Sequence, residues 1–479
     1  MNLKMKTSLV SLWALMLPLL IFAEPITSET AKKVVTAQLA RLGQGNEFSI
    51  KNITAVNNED LVCFYAAELS PAGYMIVAAD DDLPPVIAYS YIDNLDTEGT
   101  LLKILKNDIT KCMAYKEKIP AQKIKNRKMQ WEALINGADK LLVVSQQWPP
   151  AGTTSTGGWL ETNWTQSAPY NLMCPIDPVT SARCYTGCPA TAMAQILNYH
   201  KTTNHTVFSD ADDYHHNYAG RIFDIDDDYN QHGFPSFPQL NAHLDTLNAH
   251  YLQNSPLTNN DKAALTFACG VAATQIFTSE GSGTFGVNQA LEAYSRFGCN
   301  TAQLLWPADT SLFTRLIQNM KDSLPAHLAI VDESNTTGHN VVVDGYNTDN
   351  YFHVNFGWGG SGNGWYLLPD EMPYGLTFIE GLIVDIMNTE YVSTPPEKNI
   401  STLEVYPNPA HNQLNILMPP DADIDRLKIY SVTGQLLFES SVKSNHTAID
   451  LSGFSLGFYL YQLSGGKGNE FYNGGFIKN

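Results

Sequence analysis

One thiol, two imidazoles and two carboxamides lie in this sequence in an order that suits acyl transfer. The thiol sits in Thr186–His200, "TGCPATAMAQILNYH". Pro189 suits the first helical position, where a missing N–H costs nothing, and the Ala-rich apolar run behind it propagates a helix. In this reading Cys188 caps that helix, beside unpaired backbone N–H groups and the positive end of the dipole, which favour thiolate over thiol. The same cysteine also reads as a small buried hydrophobe or half of a disulfide. A base and its orienting partner are needed before it counts as a nucleophile.

His200 is excluded as that base, because twelve residues along one helix place it about 18 Å from Cys188. The better source is Gly338–Leu368, "GHNVVVDGYNTDNYFHVNFGWGGSGNGWYLL". Val341–Tyr346 reads as a strand, Asn347–Asn350 as a turn and Tyr351–Trp358 as the returning strand. Such a hairpin brings Asn355, Phe356 and Trp358 alongside His339, with the register open by a residue or two. The Asn355 side-chain oxygen then accepts an imidazole N–H and leaves the other ring nitrogen for the thiol. His353 is the rival base. Attack on a peptide carbonyl also creates an oxyanion; the backbone N–H of Cys188 offers one donor, and the amide of Gln166 in "NWTQSAPYN" offers another.

These groups need a large and well-ordered scaffold. The 479 residues exceed one ordinary core, so two or three domains are expected. With 29 basic and 48 acidic residues the formal charge is −19, an acidic surface that repels nucleic acid and anionic membrane. Lys4 and Lys6, the apolar stretch Leu9–Phe22 and then Ala23 read as a signal peptide over residues 1–23. Seven cysteines in a secreted chain leave one thiol over, and Cys188 is the candidate. Pairing of Cys174 with Cys184 and of Cys269 with Cys299 is one possibility among several, since sequence does not fix connectivity.

Thr30–Leu42 reads as an amphipathic helix, and Leu61–Ala67 and Gly73–Tyr91 as short strands, an α+β module. A lysine-rich helical stretch, Leu101 to about Leu142, follows. Val392–Thr402, "VSTPPEKNIST", reads as an extended linker. Beyond it, short alternating runs separated by Gly, Asn and Pro mark a small β-sandwich. "DIDDDYN" (Asp224–Asn230) lacks the glycine of a calcium loop, and the adjacent His215 and His216 point different ways; both read as structural, so no metal and no cofactor is expected.

The order Gln, Cys, His, Asn, together with "TGCPATAMAQILNYH", "WTQSAPYN" and "GHNVVVDGYNTDNYFHVNFGWGG", resembles the streptopain family of papain-like cysteine peptidases. The resemblance implies Cys188 as nucleophile, His339 as general base, Asn355 as its orienting residue and Gln166 as oxyanion donor. It implies an α+β fold with a helical part facing an antiparallel sheet over residues 146–392. Ser282 and Gly283 in "SEGSGTFG", with Gly338 and Trp358, fall where that family shapes its substrate cleft. "GYMIVAADDDLPPVIAYSY" is similar to the family's propeptide, which makes residues 24–145 an inhibitory prodomain bound as the enzyme's own partner. Residues 403–479, after a linker at 393–402, resemble the sorting domain read by the type IX secretion machinery, which implies a secreted or surface-attached zymogen acting on proteins or peptides. Two departures stand out: Pro189 replaces a small apolar residue, and Phe356 replaces a tryptophan. They keep open a second reading, a catalytically dead surface adhesin or inhibitor on a peptidase fold, and a transamidase is a third.

Overall fold

The computed structural model describes residues 26–58, 61–95, 105–106, 109–110, 119–136, 145–332, 334, 337–368, 378–387, 404–418, 424–431, 435–442, 444–465 and 471–479. The expected signal peptide, the linker at 393–402 and Cys112 lie outside the described residues. Two compact units result, Met1–Glu390 and Tyr391–Asn479.

The first unit opens with helix α1 (Ser28–Arg41), whose N-cap Thr27 accepts the Thr30 N–H. Its buried residues Ala31, Val34, Val35 and Leu39 recur at helical spacing and form one apolar stripe. Strands β1 (Ser49–Asn58), β2 (Leu61–Ser70), β3 (Tyr74–Ala78) and β4 (Val86–Ser90) then form an antiparallel meander. Helix α2 (Ala121–Ile135) is the ordered part of the lysine-rich stretch and is fastened to this meander by Trp131, whose indole N–H donates to the Leu83 carbonyl.

Strand β5 (Gln147–Trp148) leads to helix α3 (Cys188–Tyr199), the β6–β7 hairpin (Tyr214–Tyr218 and Arg221–Ile225) and helices α4 (Phe237–Leu252), α5 (Asn259–Ala272) and α6 (Val287–Arg296). After β8 (Gln303–Leu305) and α7 (Leu312–Lys321) come β9 (Ala326–Val331), β10 (Gly338–Asn347), β11 (Tyr351–Asn355), β12 (Gly364–Leu367) and β13 (Phe378–Val384). Among the described residues, eleven strands share one sheet in the order β1-β2-β3-β4-β12-β11-β10-β9-β13-β8, with β5 beside β10. The N-terminal meander therefore continues the sheet of the later strands through β4 against β12, pairing Tyr89 with Trp365 and Ala88 with Tyr366.

Central strand β10 is apolar on both faces, as a strand covered on both sides must be. Val341 and Val343 join Leu328, Ile330 and the meander's side chains in one core. Val342 joins Ala329, Ile383 and the buried residues of α3 to α6 in another. This is the α+β arrangement of helices against an antiparallel sheet that the sequence implies.

The second unit is a small β-sandwich. A three-stranded sheet of β14 (Glu404–Tyr406), β15 (Gln413–Leu417) and β18 (His446–Asp450) shares a core with a four-stranded one. The latter comprises β16 (Arg426–Ser431), β17 (Leu436–Ser441), β19 (Gly457–Ser464) and β20 (Phe471–Lys478). Alternate residues such as Leu427 and Ile429 enter the core, which is the period expected of a half-buried strand.

Candidate active site

Helix α3 begins at Cys188 itself, with Pro189 in its first turn and Gly187 as the cap at φ +81°. Cys188 is thus the first helical residue rather than the cap. Gly187 suits its place for two reasons: its φ lies in the left-handed region, and a Cβ there would come within 2.9 Å of the Ser282 carbonyl oxygen. The glycine-rich loop containing Ser282 and Gly283 consequently runs against the entry to α3. Ser282 is turned inward, its hydroxyl donating to the Thr278 carbonyl, and Gly283 pairs with Ile276 through its backbone. Gln166 is tied to the same entry, since its carbonyl accepts the Thr186 N–H at 3.0 Å.

Opposite the thiol stands Asn340, whose Nδ2 donates to Cys188 Sγ at 3.9 Å. Asn340 Oδ1 is held by His327 Nε2 at 2.7 Å, and His327 Nδ1 meets the Tyr294 hydroxyl at 3.1 Å. The chain Tyr294, His327, Asn340, Cys188 was not anticipated from sequence. Its only sequence signal is that Asn340 follows His339, so strand alternation gives the two residues opposite faces.

That alternation decides the position of His339. Across β9, Asn340 faces Ala329 in the α3-side core, and His339 faces Ile330 in the other. His339 is 7% exposed, donates its Nε2–H to the Phe356 carbonyl at 2.9 Å, and stacks on Trp358 with ring centroids 4.7 Å apart. Asn355 pairs with Val342 across the hairpin and so lies on the α3 side. Its Oδ1 accepts from Gln195 Nε2 and the Gly357 N–H, and its Nδ2 donates to the Thr162 carbonyl. The hairpin and turn match the sequence reading, whereas the expected His339–Asn355 hydrogen bond is not formed here. The physical reason is register: His339 and Asn355 project from opposite faces of the sheet. Phe356 and Trp358 do shield the imidazole. Gly338 is exposed at the start of β10.

His353, the rival base, is committed elsewhere. Its Nδ1 meets Asp344 Oδ1 at 2.6 Å with both side chains buried, and Asp344 Oδ2 accepts the Leu160 N–H. Gly158 is required beside this pair, because a Cβ there would lie 2.2 Å from Asp344.

Protonation follows burial. Desolvation raises the Cys188 thiol above its ordinary value; N–H groups of Asn340 and of Cys188 itself pull the other way, and the charge of Glu380 adds to the rise. Desolvation likewise pushes the His339 imidazole down to about 4. The expected thiolate is therefore absent in this arrangement, where thiol and imidazole are both neutral. The six described cysteines are free thiols, so the pairings considered for Cys174 with Cys184 and Cys269 with Cys299 are not formed. Each pair is nonetheless close enough for one thiolate to disfavour the other, and burial keeps all four protonated.

The meander grips the His339 hairpin. Tyr89 stacks on Trp365 at 6.0 Å, its hydroxyl accepts from Asn347 Nδ2 at 2.7 Å, and the Tyr351 hydroxyl donates to the Val86 carbonyl. Arg41 of α1 pairs with Asp349 in the hairpin turn. The acidic stretch at Asp224 is likewise engaged locally, His215 Nδ1 meeting Asp224 Oδ1 at 2.7 Å across the β6–β7 hairpin.

Three family models match the chain: Spi protease inhibitor over residues 23–113, Peptidase C10 over 164–366 and Secretion system C-terminal sorting domain over 404–472. Streptopain of Streptococcus pyogenes is 23% identical over 365 residues, 72% of this chain and 81% of that protein. The thiol protease/hemagglutinin PrtT of Porphyromonas gingivalis is 25% identical over 66% of this chain, which spans only 34% of that relative's length. A prointerpain A fragment of Prevotella intermedia superposes with a TM-score of 0.46 at 21% identity, covering 70% of this chain and 98% of the fragment. The sorting domain indicates secretion or attachment at the cell surface. The chain is accordingly similar to streptopain-type (Peptidase C10) cysteine peptidases over residues 164–366, with a match to an inhibitor segment before that region and to a secretion-sorting domain after it.

Proposed function

We propose that this chain is the zymogen of a secreted cysteine endopeptidase, held latent by residues 24–145. The supporting observation is the pairing of Cys188 at the start of α3 with Asn340, the immediate neighbour of His339. A one-residue change of register at the beginning of β10 exchanges the two faces, presenting His339 to the thiol on the side where Asn355 already lies. The proton then passes from Cys188 Sγ to the imidazole, giving a thiolate and imidazolium pair. The thiolate attacks the scissile carbonyl, the Cys188 N–H and the Gln166 amide hold the oxyanion, and the imidazolium protonates the leaving amine. Water, deprotonated by His339, releases the acyl group from sulfur. Protein or peptide substrates reach Cys188 between the Ser282–Gly283 loop and the strand end at Gly338, beside Trp358.

Latency has a mechanical cause in this reading. The meander holds β12 and the β10–β11 turn, so His339 stays stacked on Trp358 while β4 remains paired. The test is casein digestion by the processed secreted protein and by Cys188→Ala. The parent digests casein and the variant loses about 10⁴-fold or more of that activity; equal digestion by both would sink the proposal.

The separation of His339 from Cys188 also favours one competing reading, a dead peptidase fold serving as adhesin or inhibitor. A thiol-directed epoxide separates the two: the processed peptidase is labelled at Cys188, and the dead fold is not.

A further inference from the structure

The mechanism leaves one charged group near Cys188 without a role. Glu380 sits at a β-bulge, where the β13–β9 register shifts between Ile379 and Gly381, so it is released from the ladder and re-aimed. Its Oε1 accepts the Val287 N–H at 3.1 Å, at the start of the ten-residue helix α6. Gly381 makes that approach possible, because a Cβ there would lie 2.8 Å from Val287. Gly286, the cap of α6, ends the same glycine-rich loop that runs against Gly187, so Glu380 and Cys188 flank one loop. The negative charge reaches the thiol, whose protonated form it favours.

A carboxylate beside a thiolate works against the nucleophile, so its presence there calls for a compensating cation. Among the described residues, no lysine or arginine forms an ion pair with Glu380. The Val287 N–H occupies one oxygen, which leaves the other to bind. Phe285, 79% exposed next to Gly286, and Phe378, exposed two residues before Glu380, offer ring surface for an alkyl stem.

We infer that Glu380 is a specificity-determining residue that selects substrates carrying an arginine or lysine side chain near the scissile bond. This rests on the peptidase reading above and names its substrate class. The bound cation pairs with Glu380 and also cancels the field that opposes the Cys188 thiolate, so a basic substrate favours its own attack.

The experiment compares the processed secreted protein with Glu380→Gln and Glu380→Arg on N-terminally blocked fluorogenic peptides. These place Arg, Lys or Gln at each of the three positions before the scissile bond. Glu380→Gln keeps an acceptor for the Val287 N–H and removes only charge. At one position the parent cleaves the Arg and Lys peptides about tenfold better in kcat/KM than the Gln peptide, as a partly exposed charge-assisted pair supplies. Glu380→Gln brings that ratio close to one, and Glu380→Arg inverts it. A ratio unchanged by Glu380→Gln, with Gln peptides still cleaved, overturns this inference and leaves the peptidase standing. Failure of the parent to cleave any peptide, with Cys188 unlabelled by the epoxide, overturns both.

Discussion

The two ends of the β10–β11 hairpin each hold a buried histidine, and they hold it differently. Near the turn, His353 is pinned to Asp344, a carboxylate that Leu160 and a required glycine enclose. At the open end, His339 has one carbonyl partner and two aromatic faces. A carbonyl and a ring face are partners that water or another acceptor replaces at little cost. A buried carboxylate stripped of its cationic or hydrogen-bonding partner is not so easily satisfied. The hairpin is thus held by a buried charged group near its turn and by more replaceable partners at the end where the proposed chemistry assembles.

The largest expected effect breaks this comparison into its two halves. His339→Ala lowers kcat/KM of the processed protein by about 10³-fold, the scale of a lost general base, with a stability loss of about 1 kcal/mol. His353→Ala does the reverse: it removes about 3 kcal/mol of stability by leaving the buried Asp344 Oδ1 without its imidazole partner, while folded protein retains turnover. Urea unfolding and active-site-titrated kinetics on both variants read the two quantities. Equal stability losses, or equal activity losses, would erase the distinction between a fixed and a movable histidine.

Much of this was legible in sequence. The helix read at Thr30–Leu42 is Ser28–Arg41, and the turn read at Asn347–Asn350 falls where β10 gives way to β11. Both rest on strong local signals, helical apolar spacing in one case and Asn/Asp turn chemistry between apolar runs in the other. The face occupied by His339 was not legible. "GHN" places two polar residues at the edge of the apolar run Val341–Val343, and that run is buried on both sides, so alternation carries no inside-or-outside information there. The neutral state of Cys188 was hidden for a related reason: helix position favours thiolate, but desolvation depends on what covers the helix start, and here Asn340 does.

A second, intermediate effect uses pH. Burial holds His216, His327 and His339 at about 4, against 6.5 when unfolded. Between those values the unfolded chain binds more protons, so each histidine supports the fold above pH 6.5 and withdraws that support as pH falls toward 4, by on the order of 3 kcal/mol. Asp81 and Asp93, whose carboxyls are raised by burial, act with the opposite sign. Replacing one histidine isolates its share. Full-length protein with His327→Gln shows a shallower decline in thermal midpoint between pH 6.5 and 4 than the parent; parallel curves would mean that His327 titrates alike in both states.

The smallest effect sharpens the contrast between the two faces of β10. In the proposed mechanism Asn340 sits where the base comes, and its N–H groups are the main force drawing the Cys188 thiol back down against desolvation. A sulfur acceptor at 3.9 Å makes a weak bond. Asn340→Ala in the uncleaved chain removes the side-chain donor and keeps the backbone one, so the thiol rises further and alkylation by iodoacetamide at pH 8 slows about threefold. The same substitution after removal of residues 24–145 has a different consequence if His339 has taken over that face, because an imidazolium then governs the sulfur and the alkylation rate becomes insensitive to residue 340. A pH series of alkylation rates on both forms measures this. Equal slowing before and after processing would mean that His339 never replaces Asn340 beside the thiol, and the exchange of faces at the start of β10 would have to be abandoned.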